Sequence, residues 1–174
     1  MTFSRRAFLN GACATLGAAA TTTLAAPALA LSVPTVGLAC LHTGRSCRIK
    51  YDGSLTSRDV EAFRSVTRDW RADKMHGMDL KLITILSGIS RGAGSDHGFG
   101  LVSGFRTRAT NEKLNGTAKQ SLHMQGMAMD IRRSDLSTKE LHTLARALRA
   151  GGVGFYPQAH NQFVHVDTWK VRYW

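Results

Sequence analysis

Ser121-Leu122-His123-Met124-Gln125-Gly126-Met127-Ala128-Met129-Asp130-Ile131-Arg132 is the stretch from which the rest of the chain is best read. Met127, Met129 and Ile131 alternate with Ala128, Asp130 and Arg132, which predicts a strand with one apolar face and with Asp130 on the other. A later run, Phe163-Val164-His165-Val166-Asp167-Thr168, alternates in the same way. On it Val164 and Val166 face a core, while His165 and Asp167 share the opposite face. Two such strands can bring His123, Asp130 and His165 together. Two imidazoles and one carboxylate form a three-ligand set for Zn2+ that leaves a fourth position for water, so the expected chemistry is metal-assisted hydrolysis.

Around these strands the sequence predicts a single small α+β domain. Val36 to Tyr51 reads as an irregular hairpin closed by Asp52-Gly53. Thr56 or Ser57 caps a helix with Val60, Phe63, Val66 and Trp70 near one face. A second helix starts near Asp79, with Leu80, Ile83 and Leu86 as its inner stripe. The run Ser90 to Gly100, with Gly92, Gly94, Gly98 and Gly100, reads as a loop, and Phe99, Leu101 and Ser103 as a short strand. Arg108 to Leu114 can make one or two helical turns, broken by Asn115-Gly116. Ser137-Thr138-Lys139-Glu140 is a capping box opening a helix with Leu141, Leu144 and Leu148 inward and Gly151 or Gly152 as its stop.

The N-terminus has a different character. Ser4-Arg5-Arg6-Ala7-Phe8-Leu9-Asn10 precedes a stretch of Ala, Leu and Thr that closes on Ala28-Leu29-Ala30, the pattern of a twin-arginine export signal over residues 1–30. The stretch is too rich in Thr and Gly for a membrane span. The mature domain is then 31–174, delivered to the periplasm, and Cys13 leaves with the signal. Cys40 and Cys47 remain, and in an oxidising compartment they can close a small loop, although their spacing does not establish the bond.

Length and charge narrow the partners. A chain of 174 residues with 43% hydrophobic content buries one ordinary core. It carries 23 Lys+Arg against 12 Asp+Glu; removing Arg5 and Arg6 leaves 21 against 12, or +9. That balance suits an anionic partner or simple solubility. Export and the lack of a zinc finger, RNP-type motif or basic helix run speak against nucleic acid. A carboxylate-bearing envelope polymer fits the address better.

Ser121-x-His123-x-x-Gly126-x-Ala128-x-Asp130, together with Ser103-Gly104-Phe105-Arg106, Thr110-Asn111 and the late His165-Val166-Asp167, resembles the M15 zinc peptidases in their murein endopeptidase-like branch. The similarity extends from Leu41-His42-Thr43-Gly44 through Gly152-Val153-Gly154-Phe155-Tyr156-Pro157 to the C-terminus. The resemblance implies a small fold whose mostly antiparallel sheet carries the zinc, flanked by helices, and cleavage of peptide cross-links in peptidoglycan. It assigns the zinc to His123, Asp130 and His165. It gives Arg106 the role of holding a substrate carboxylate or carbonyl oxygen, which suits a forked guanidinium.

Hydrolysis of an amide needs an activated water and stabilisation of the oxyanion, and a bound zinc ion supplies both. The proton shuttle is the open position. Many M15 relatives place a glutamate three residues before the last ligand histidine or a histidine two before it; here Gln162 and Phe163 stand there, and neither is a base. Asp167 is the substitute candidate, with His160 second. Asp167 can equally be the partner that orients a ligand histidine through its free ring nitrogen. His142 reads as a surface residue, and His42, His76 and His97 as loop residues. Tyr156, Trp169 and Trp174 suit either the core or a groove wall.

Three activities compete with the endopeptidase. A D-alanyl-D-alanine carboxypeptidase would use the same scaffold. A zinc-stabilised wall-binding module would need no base. A non-haem iron oxygenase is raised by His165-x-Asp167, but it would call for a further histidine downstream, and none follows.

Overall fold

The computed structural model describes residues 34–114, 119–158 and 162–174. The expected export signal, Asn115-Gly116 and His160 lie outside the described residues. The chain from Ser32 to Trp174 forms one compact unit. Among the described residues no helix is long and apolar enough to cross a membrane.

The unit is α+β. Strands β1 (Thr35–Cys40), β2 (Ser46–Lys50), β3 (Phe99–Ser103), β4 (Ala128–Arg132), β5 (Gly152–Tyr156), β6 (Phe163–Asp167) and β7 (Arg172–Tyr173) make a sheet in the order β2-β1-β3-β4-β6-β5-β7. Four of its pairings are antiparallel, while β1 with β3 and β5 with β7 are parallel. The two strands read from alternation, β4 and β6, lie side by side at its centre. β5 and β7 escaped the sequence reading: Gly152 served as a helix stop, and two residues are too few for a pattern.

Helices α1 (Ser57–Val66), α2 (Lys81–Ala93) and α4 (Thr138–Ala147) pack on the sheet, with the short α3 (Arg108–Lys113) lying before the β4 segment. Thr56 and Asp59 cap α1 reciprocally, and Ser137 and Glu140 do the same for α4. The core joins Val36, Leu38, Phe99, Leu101, Met129, Ile131, Val164 and Val166 of the sheet to Phe63, Leu82, Ile83, Leu86, Ile89 and Leu141 of the helices. Each such side chain contributes about 1.5–3 kcal/mol on full burial.

One expectation fails here for a tertiary reason. Ser90 to Ala93 is helix, not loop, and α2 ends only at Gly94, whose φ of 60° closes it. Gly88 and Gly92 are packing residues: a Cβ on them would meet Leu148 at 2.9 Å and Leu144 at 3.1 Å. Their missing side chains let α4 approach, so tertiary contact overrides the local preference of glycine for loops. The inner side of α2 is also broader than expected, with Leu82, Ile85 and Ile89 joining Ile83 and Leu86, while Leu80 stays outside as the N-cap. Trp70 lies beyond the end of α1, stacked on His42 at 4.0 Å.

Helices cover one face of the sheet, and the other carries the candidate site. The boundary between these roles is visible in β3. Leu101 opposes Ile131, yet Ser103 opposes Asp130, so a bulge at Val102 inserts one residue and turns Ser103 from the core face to the site face.

Candidate functional site

His123 is set by a single 3-10 turn, Leu122–Gln125. The Ser121 hydroxyl accepts from the His123 N–H, and Gly126, at φ 70°, ends the turn. Only glycine fits at Gly126, because a Cβ would stand 2.1 Å from the Gly77 carbonyl oxygen. Asp130 and His165 come from the central strands, where they are directly opposed.

The three side chains converge. His123 Nε2 lies 3.3 Å from His165 Nδ1 and 3.3 Å from Asp130 Oδ1, and His165 Nδ1 lies 2.9 Å from the same oxygen. Zinc with ligands at about 2.0–2.1 Å in a tetrahedron sets its donors roughly 3.3 Å apart, so the donor set fits such an ion. These are also the described residues that group as a candidate metal cluster.

The outer partners decide which ring nitrogens face inward. His123 Nδ1 donates to the Gly104 carbonyl oxygen at 2.7 Å, which leaves a lone pair on Nε2. His165 Nε2 donates to Asp167 Oδ2 at 3.2 Å, which leaves one on Nδ1. A ligand histidine is commonly held through its other nitrogen in this way.

Burial and charge act against each other at the centre. Burial pushes the Asp130 carboxyl up, but the His123 and His165 imidazoles more than offset it and hold the group well below the usual carboxylate range. Burial pushes His123 down. For His165 burial acts downward too, but hydrogen bonds to Asp130 and Asp167 outweigh it and raise the ring above its ordinary value.

Arg106 is nearly enclosed. Its Nη2 donates to Asp130 Oδ2 at 2.6 Å and its Nε to Ser103 Oγ at 2.8 Å, the acceptor that the β3 bulge provides. Thus Asp130 spends one oxygen on the guanidinium and offers the other to the histidines. On its outer side Arg106 lines an open cleft of about 570 Å³ with Phe105, Arg108, Lys119 and Gln120.

Asp167 is fully buried and heavily engaged. Oδ1 accepts from the Gly152 and Trp169 N–H groups and from Arg172; Oδ2 accepts from His165 and, at 2.8 Å, from Arg172. Burial raises its pKa, but these donors overcome that and bring it down to about 2.

Sequence reasoning missed Asp69. It is buried; Oδ1 accepts from the Arg71 and Ala72 N–H groups, and Oδ2 accepts from the Thr107 N–H at 2.8 Å and the Thr107 hydroxyl at 2.9 Å. This ties the turn after α1 to the residue that follows Arg106. The Asx turn was readable in Asp69-Trp70-Arg71-Ala72, but its distant partner was not. Asp69→Asn should break about half of these bonds, each worth about 1–3 kcal/mol when a buried acceptor loses its donor. Its kcat should fall while bound metal, measured per chain, stays at the wild-type level; unchanged kcat would free Arg106 from this tether.

The remaining aromatic and titratable groups take other positions. Trp174 lies 5.4 Å from the His165 ring and donates to the Tyr156 hydroxyl at 2.8 Å; Tyr156 stacks on Phe163 at 4.6 Å. Tyr156, Trp169 and Trp174 are exposed, so none of them belongs to the core. His142 is half-buried against Phe155, His76 stacks on Phe105, and His97 bonds Ser134. Cys40 and Cys47 are free thiols. Burial pushes the Cys47 thiol up to about 11, so it is un-ionised at neutral pH.

A family described as peptidoglycan L,D-endopeptidase MepK matches residues 29–174. The peptidoglycan L,D-endopeptidase MepK of Escherichia coli (strain K12) is 34% identical over 140 residues, covering 77% of this chain and 76% of that protein. The protein of the same name from Shigella flexneri matches equally, at 34% over 140 residues. The probable peptidoglycan L,D-endopeptidase MepK of Haemophilus influenzae is 35% identical over 112 residues, 62% of this chain and 59% of that protein. With the family matched across nearly all of the described fold and a relative of this identity over most of both chains, the chain belongs to the peptidoglycan L,D-endopeptidase MepK family of M15 peptidases.

Proposed function

We propose that the protein is a zinc-dependent endopeptidase that cleaves peptide cross-links in peptidoglycan during cell-wall remodelling. The observation that carries this is the convergence of His123 Nε2, Asp130 Oδ1 and His165 Nδ1, each with its orientation fixed from outside. The names of the relatives supply the finer reading, that the linkage cut is of the L,D type. A bound zinc ion would lower the pKa of its water towards about 7 and polarise the scissile carbonyl. The chain's own residues do the rest: Asp130 brings the anionic ligand, Arg106 orients it, and the cleft beside Arg106 receives a substrate oxygen.

Asp167 is better suited to orientation than to proton transfer. A carboxylate held near pH 2 and surrounded by donors is a weak base at neutral pH. Asp167→Asn should therefore weaken metal retention or turnover by about 10–100-fold, the usual effect of losing such a partner. The pH-rate profile should keep its acidic limb; disappearance of that limb would restore Asp167 as the base.

The twin-arginine pattern and the boundary at residue 31 support export of a folded, metal-loaded protein to the periplasm. Incubation of the purified protein with isolated sacculi, followed by separation of the fragments, tests the activity. Loss of cross-linked dimers is expected. Release of terminal D-alanine alone would favour a carboxypeptidase, and binding to sacculi with no release of fragments a wall-binding module.

A further inference from the structure

The open face of the sheet continues away from the metal candidates as a trough whose floor is built largely from small residues. One row runs straight across it: Ser46 opposes Ala39, Ala39 opposes Gly100, and Gly100 opposes Arg132. The next row sets Arg48 against Gly37, with Gly98 beside it. These residues line an open depression of about 900 Å³. There is little room for larger residues in its floor: a Cβ on Gly37 would meet the Gly98 Cα at 3.2 Å, and one on Gly100 would meet Leu41 at 3.0 Å and Arg132 at 3.3 Å.

The rims are charged and free. Arg48 and Arg132 are exposed, and neither has an acidic partner among the described residues. Ser134, Ser137 and Thr138 add hydroxyls beyond Arg132. Arg132 stands two residues from Asp130 on the same strand face, so this rim of the trough lies on the side of the sheet that carries the candidate metal site. From β4 to β2 it crosses three strand spacings, roughly 14 Å, the length of about four extended residues.

The geometry points to a substrate channel in this trough, which takes the carboxylate-bearing stem peptide on one side of the scissile bond, with Arg132 and Arg48 pairing its carboxylates. The assignment rests on the endopeptidase reading. Small residues in the floor leave room for an extended chain above the sheet, the two guanidiniums complement an acidic peptide, and Arg132 on the rim shares the strand face of Asp130. A neutral glycan would leave both arginines unpaired.

Two measurements test it. In the first, the isotope-labelled protein is titrated with free tetrapeptide stem released from sacculi and, separately, with peptide-free glycan oligosaccharide. The peptide should move the amide resonances of Ala39, Gly98 and Gly100, and Arg48→Glu should weaken its binding about tenfold, the loss of one charge-assisted contact. Arg58→Glu, the same reversal on α1 at the helical side, should leave binding unchanged. In the second, Arg48→Glu and the space-filling Ser46→Trp should each raise KM on intact sacculi about tenfold with kcat within about twofold. Shifts with the glycan instead of the peptide, or wild-type KM in both variants while sacculi are cleaved, would overturn the channel. If the wild-type protein releases no fragments, the endopeptidase reading falls, and the peptide titration alone decides the trough.

Discussion

Asp130→Ala is expected to leave the protein without bound zinc and without activity on murein. It removes the one anionic member of the candidate ligand set, and two neutral imidazoles alone hold the ion poorly. The same change strips the buried Arg106 of its counter-charge at 2.6 Å, which costs about 3–5 kcal/mol when one partner of a buried pair is deleted. The two consequences separate in a second variant. Asp130→Ala combined with Arg106→Ala should recover much of the lost stability and none of the metal. Metal analysis per chain and thermal unfolding check both, and His123→Ala and His165→Ala should lose zinc likewise. Normal zinc content in any of the three single variants would remove that residue from the set.

Gly104→Ala is expected to disable the site from behind. An added Cβ would stand 2.3 Å from the Thr67 carbonyl oxygen and 3.0 Å from the Thr67 Cα, and both neighbours are backbone that cannot swing aside. The loop must shift, and with it go the Phe105 N–H bond to Thr67 at 2.8 Å and the Gly104 carbonyl that accepts from His123 Nδ1. Overpacking and one broken hydrogen bond together cost about 2–4 kcal/mol. Denaturant unfolding should show that loss together with reduced zinc retention. Gly77→Ala, whose Cβ meets nothing within 4 Å, should stay within about 0.5 kcal/mol of wild type. Unfolding of Gly104→Ala at the wild-type denaturant concentration would show that Gly104 is no wedge point.

The central strands were legible because parity is local. Asp130 among Met129 and Ile131, and His165 among Val164 and Val166, can point only to the face opposite the core, and the sheet pairs them as neighbours. The cap of α1 at Thr56 and the capping box of α4 were legible for the same reason, since each closes within three residues. What escaped depends on partners remote in sequence. Gly92 looked like a loop residue because its reason, the approach of Leu144, lies on another helix. Asp69 went unread because Thr107, which it holds, is 38 positions away. Arg106 carried the opposite lesson: the sequence reading aimed it at the substrate, and it donates first to Asp130.

The single residue inserted at Val102 has a consequence for anyone re-engineering this scaffold. Upstream of it, odd-numbered positions of β3 belong to the hydrophobic interior; downstream, an odd-numbered position serves the reaction side. Trimming that residue to regularise the ladder would exchange the two allegiances, sending a hydroxyl into oil and withdrawing the arginine's anchor, even though every amino acid with a chemical duty would still be present.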